Sequence, residues 1–196
     1  MSTILSILLG ISLSAAAGFR VFVPFLFISI SSKAGLIELS KGFAWMGTTP
    51  ALILFLVATI VEIIAYYVPY IDNLLDMLAM PMAIIAGTIL TATFITNMSP
   101  MLKWTLAIIA GGGMSAAIHG ATAVTRGTST LMTAGIGNNI VTTLENIFST
   151  LISIVAILSP IIAILLIIII VILFIRRRKR RNNKKENRTR NKNGNV

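Results

Sequence analysis

The chain has 196 residues, 56% apolar and 11% charged, with a formal net charge of +10. A soluble domain carries charge at roughly a quarter of its positions, so lipid is the expected solvent for most of this sequence. Cysteine is absent, which excludes disulfides, thiolate catalysis and Cys-ligated metals.

The charge is localised. Residues 1–175 hold five basic residues (Arg20, Lys33, Lys41, Lys103, Arg126) and five acidic ones (Glu38, Glu62, Asp72, Asp76, Glu145), whereas the segment after Ile175 holds eleven Lys or Arg against Glu186 alone. The expected organisation is therefore a polytopic membrane domain over 1–175 and a basic, disordered cytoplasmic tail over 176–196, attracted to anionic head groups. Nucleic acid is not an expected partner, because the tail has no aromatic residue to stack on bases.

Crossing ~30 Å of hydrocarbon takes roughly 20 apolar residues as a helix. Five stretches approach this, so the expected fold class is all-α integral membrane, with about five transmembrane helices, Pro/Gly-broken segments and an interfacial or re-entrant helix. The first stretch, Ile4 to Ile30, contains Ala15-Ala16-Ala17-Gly18, which resembles a signal-peptidase site; no basic residue precedes it and apolar sequence resumes at Val21, so retention is expected. Within it Gly18, Arg20 and Pro24 combine a flexible residue, a charge and a proline that frees the Arg20 carbonyl. Broken helices survive in membranes only where protein or water satisfies the backbone. Arg20 is read either as paired with a carboxylate, Glu62 first and Glu145 second, or as a substrate contact.

A linker with Lys33 and Lys41 leads to the second stretch, Pro50 to Val68, where Thr59, Glu62 and Tyr66 share a helical face. Glu62 lies well inside it and reads as either a buried ion pair or a proton or cation site. The third stretch, Leu74 to Ile95, follows Asp72 and includes Asp76. The fourth, Met101 to Val124, carries Gly111, Ser115, His119, Thr122 and Arg126 at helical spacing. Its small residues match Gly10, Ser14 and Gly18 of the first stretch, so the two faces are expected to pack together. For His119 the readings are an interhelical hydrogen bond and a proton relay. Ala83-Ile84-Ile85-Ala86-Gly87 recurs as Ala107-Ile108-Ile109-Ala110-Gly111, a short echo of the kind inverted repeats leave.

A Gly-, Thr- and Asn-rich loop from Arg126 to Asn139 precedes a polar stripe of Asn138, Thr142, Glu145, Ser149 and Ser153. Asn139 to about Thr150 reads as the interfacial or re-entrant helix, and Ser153 to Ile175 as the last span, with Pro160 dividing the long apolar run. Five crossings with the tail inside put the amino terminus outside. Lys33, Lys41, Lys103, Trp45 and Trp104 then fall inside, and Asp72, Asp76, Tyr66, Tyr67 and Tyr70 outside.

Taken in order, several segments resemble a family of bacterial and archaeal multi-pass membrane proteins catalogued as domain of unknown function 4126. They are Ser14 through Arg20 to Pro24, Glu62 through Pro69 to Asp72 and Asp76, Pro81 to Gly87, and Gly111 through His119, Arg126, Gly137 and Asn138 to Glu145. Where the family pattern has an Asp-Lys pair before the proline at 69 and a basic residue before that at 81, this chain has Tyr66-Tyr67 and Met80. The resemblance implies a shared membrane fold and a shared polar centre built from Arg20, Glu62, Asp72, His119, Arg126 and Glu145. It implies no substrate.

The leading expectation is a small-solute or ion transporter or channel in the cell membrane, oligomeric, without cofactor or metal. The competing one is a structural or scaffold membrane protein whose charges are buried ion pairs. An intramembrane lipid-modifying enzyme is a weaker third, because no catalytic motif stands out.

Overall fold

The computed structural model describes residues 2–68, 71–96, 98–133, 137–172 and 176. Tyr70, residues 134–136 of the expected Arg126 to Asn139 loop, and the basic tail beyond Arg176 lie outside the described residues, and the first part of that expected loop is instead helix, as α6 runs on to Thr133. The described residues form helices and no strands: α1 (Thr3–Phe19), α2 (Phe22–Lys33), a 3-10 turn (Lys41–Gly47), α3 (Thr49–Ala65), α4 (Ile71–Phe94), α5 (Pro100–Leu106), α6 (Gly113–Thr133) and α7 (Asn138–Leu158). A further apolar helix, α8, runs over Pro160–Ile172.

Three helices are long and apolar enough to cross a membrane, namely Leu74–Phe94, Pro100–Thr133 and Asn138–Leu158. A fourth candidate is the bent pair Lys41–Gly47 and Thr49–Ala65, turned by 70°. Among the described residues the candidates by length and composition therefore number three or four, beside the expected count of about five. Along α3 the outward side chains Ile53, Leu54, Val57, Ile60, Val61 and Ile64 are all exposed. An apolar face of that length would be untenable in water and is ordinary against lipid.

Two chain-order expectations change. The stretch Ile4 to Ile30 is a helical hairpin rather than one crossing. Gly10 of α1 meets Leu90 and Thr91 near the end of α4, and beyond α2 the Ser40 N–H bonds the Thr93 carbonyl, 2.9 Å, at that same end of α4. The start of α1 and the exit of α2 therefore share one end of the bundle, with Arg20 at the tip between them. This end also collects Lys33, bonded to Thr49 Oγ1 at 2.7 Å, and Lys103, which donates to Ser40 Oγ at 3.2 Å. The start of α1 thus lies at the same end of the bundle as these lysines, where a single crossing would set it opposite them, because the chain reverses at residue 20. The second change concerns α7, which is continuous from Asn138 to Leu158. The polar stripe belongs to a candidate span, and the break comes at extended Ser159, just before Pro160.

The hairpin makes a labelling prediction. With no native cysteine, Ser2→Cys and Gly42→Cys should be modified by an impermeant thiol reagent from one side of a vesicle, and Gly127→Cys from the other. Gly42 and Gly127 have no neighbouring atom within 4 Å of an added Cβ, so both tolerate the change. Labelling of Ser2→Cys and Gly42→Cys from opposite sides would restore α1–α2 as a crossing.

Packing centres on α1, which touches α4, α6 and α7, while α2 packs on α3. Leu9, Leu13, Phe25, Ile28, Phe55 and Leu90 form the heart of the apolar core. Small residues let the backbones close. An added Cβ at Gly18 would lie 2.7 Å from the Ser115 carbonyl oxygen, and one at Gly87 2.6 Å from that of Gly111. The faces of α1 and α6 meet as expected at Gly18 and Ser115, but Gly10, Ser14 and Gly111 turn to α4: Ser14 Oγ donates to the Gly87 carbonyl at 2.6 Å. The two glycines that end the repeated five-residue echo face each other here, with a π-helical segment, Ala107–Gly112, on one side of the contact.

The clustering of contacts separates Met1–Ile164 from Leu165–Val196. Of the second unit, Leu165–Ile172 and Arg176 are described, and they are helical.

Candidate functional site

The site begins with the backbone at the hairpin tip. A continuous helix would send the amides of Val21 and Phe22 to the carbonyls of Ala17 and Gly18. Arg20 is extended instead, φ −144° and ψ 125°, so two donors and the Gly18 acceptor are released inside the bundle. Each is taken up by an ionisable side chain. The Val21 and Phe22 N–H groups donate to Glu62 Oε1 and Oε2 at 2.8 and 2.9 Å, and His119 Nδ1 lies 3.3 Å from the Gly18 oxygen, which requires its proton on Nδ1. Pro24 sits in the first turn of α2, where its missing N–H is no loss.

Glu62 thus caps the amino end of α2, where the helix dipole favours an anion, and Arg20 pairs elsewhere. Its guanidinium contacts Glu145 Oε2 at 3.1 Å, and its Nε donates to Asn146 Oδ1 at 2.6 Å. The expected first partner, Glu62, is displaced by geometry, since both its oxygens face amides. Glu145, the second choice, is the actual one.

Glu145 also serves Arg126. Arg126 Nε donates to Oε1 at 3.0 Å and Nη2 donates to Oε2, while Nη2 reaches Thr142 Oγ1 at 3.2 Å. The fork binds both carboxylate oxygens, the strongest form of this contact. Tyr66 lies against both cations, its ring centroid 3.8 Å from Arg20 Cζ and 4.6 Å from Arg126 Cζ. Arg20, Glu145 and Arg126 are 1%, 3% and 3% exposed. On the far side, Arg126 Nη1 stands 3.7 Å from Asp76 Oδ1, and the Asp76 side chain is 30% exposed. That separation is beyond a hydrogen bond, and neither atom has another hydrogen-bonding partner.

The structure therefore brings Arg20, just past the end of α1, together with His119 and Arg126 within α6 and Glu145 within α7, and Glu62 to the same hairpin tip. Asp72 sits half-buried one turn before Asp76, at the start of α4. The sequence gives no sign of Asn146 as a partner; Thr142 is legible in the polar stripe with Glu145, and Tyr66, on the helical face of Glu62, is also expected at the membrane interface but stacks on the two arginines. Among the described residues no group of three or more His, Cys, Asp or Glu is placed to hold a metal ion.

A family model described as Domain of unknown function (DUF4126) matches residues 7–180 of the chain. No curated protein and no solved structure matches it.

Proposed function

The chain belongs to the DUF4126 family, and from that premise we propose that it is a small-solute or ion transporter or channel whose Arg20–Glu145–Arg126–Asp76 network is the gate. The observation that carries this reading is the hairpin tip, where backbone is broken deep among apolar helices and the charged groups converge. Irregular backbone at such depth occurs where protein or an aqueous path satisfies it, and half-helix ends at broken segments are how many transporters hold charged cargo. Asp76, half-exposed and loosely held, is the limb through which the network can open. The end bearing Lys33, Lys41 and Lys103 faces the cytoplasm on this reading, because Lys and Arg resist translocation.

The test is flux into liposomes reconstituted with the full chain and loaded with proton- and chloride-sensitive dyes. Flux above that of empty liposomes is expected, and it should vanish in the folded triple variant Arg20→Met, Glu145→Leu, Arg126→Met. A scaffold role is the second reading, favoured by the direct mutual packing of three groups no more than 3% exposed. It predicts that wild type and triple variant are equally silent.

A further inference from the structure

Contacts are unevenly matched within the network. The Glu62 carboxylate is committed to the two amides at the start of α2. Glu145 receives both arginines. On the Arg126 side, Asp76 is a further carboxylate at ion-pair distance. The Asp76 contact is the weakest of the set. At 3.7 Å it is an ion pair without a hydrogen bond, and its side chain is 30% exposed where that of Arg126 is 4% exposed. Arg126 Nη1, buried and without a hydrogen-bond partner, points at it.

A buried guanidinium N–H without an acceptor is costly, and an acceptor arriving from the Asp76 side would recover that cost. We infer that Arg126 Nη1 is the anchor of a binding site for a small monovalent anion of carboxylate type, with Asp76 the tethered competitor that fills it at rest. Such an anion, entering along the exposed flank of Asp76, accepts from Arg126 Nη1 and takes over the Asp76 contact with that guanidinium as Asp76 swings to solvent. Glu145 stays in place throughout, because its fork with Arg126 and its contact with Arg20 are undisturbed by the exchange. This inference deepens the transport reading by naming a class of cargo, yet it concerns binding and stands if no flux is found.

Equilibrium dialysis of radiolabelled acetate against the full chain in detergent tests it, each variant being checked for a single monodisperse species. Removing the competitor with Asp76→Asn should tighten acetate binding by roughly tenfold or more. Combining it with Arg126→Gln should abolish that gain. Asp76→Ser carries the same expectation should the asparagine variant fail to fold. Unchanged affinity in a folded Asp76 variant, or a gain that survives loss of Arg126, would overturn the site. Acetate binding with silent liposomes would retire the transport reading and leave the site intact.

Discussion

Glu145→Leu should cost the protein about 3–5 kcal/mol, the usual penalty for removing one partner of a buried ionic group and leaving the other unpaired. Here one carboxylate contacts two guanidiniums, so the variant strips Arg20 of its ion pair with α7 and leaves Arg126 with the longer contact to Asp76. In detergent the single variant is expected to melt far below wild type or to aggregate. Adding Arg20→Met and Arg126→Met should recover most of the loss, since residues in one network are coupled and well-packed apolar groups often replace buried ions without penalty. Pairing Arg20→Ala with Glu62→Ala should recover nothing. Glu62 serves the α2 amides, so that pair removes two separate contacts. Thermal unfolding of the series decides the matter, and a Glu145→Leu midpoint within a few degrees of wild type would show that the cluster contributes little.

The second large effect is expected at Gly111→Ala. An added Cβ would be driven into Thr91 Oγ1 and the Gly87 carbonyl oxygen, far inside contact distance. Backbone cannot yield as a flexible side chain does, so α4 must separate from the α5–α6 segment, at a cost of about 1–3 kcal/mol or more. Gly113→Ala is the control, because nothing lies within 4 Å of its added Cβ. Better helix propensity should leave that variant as stable as wild type or about 1 kcal/mol more so. Equal melting of the two variants would mean that the α4 contact is looser than the packing implies.

What could be read from the sequence divides along physical lines. Membrane character, the third and fourth spans and the division at Pro160 follow from hydropathy and proline chemistry, which are local properties. That Arg20 would meet a carboxylate, with Glu145 among the candidates, was legible because charge in apolar helices must find charge or water, whereas its grouping with His119 and Arg126 was implied by the family resemblance. The reversal at Arg20 was not legible. A broken span and a hairpin have the same composition, and the choice rests on Gly10 meeting Thr91 and Ser40 meeting Thr93, contacts set by packing. The partner of Arg20 was misassigned for a related reason. The break creates two amide donors, and these claim Glu62 before any guanidinium can. The extra helical turns of α7 were missed because the stripe Asn138 to Ser153 resembles an interfacial pattern, although its polar side is buried against the bundle, as Thr142, Ser149 and Ser153 show.

The hairpin also imposes an order on biogenesis. Arg20 and Asn146, joined at 2.6 Å in the finished protein, are 126 positions apart in the chain. At a ribosomal pace of about 5–20 residues per second, roughly 6–25 s pass between their synthesis. Throughout that interval the guanidinium lacks the Glu145 and Asn146 contacts of the finished protein, and the α2 amides wait a shorter time for Glu62. The leading helices consequently cannot settle to final depth as they emerge; they must linger near water or within the translocation machinery until α7 is made. The last long helix of the bundle is therefore what seats the first.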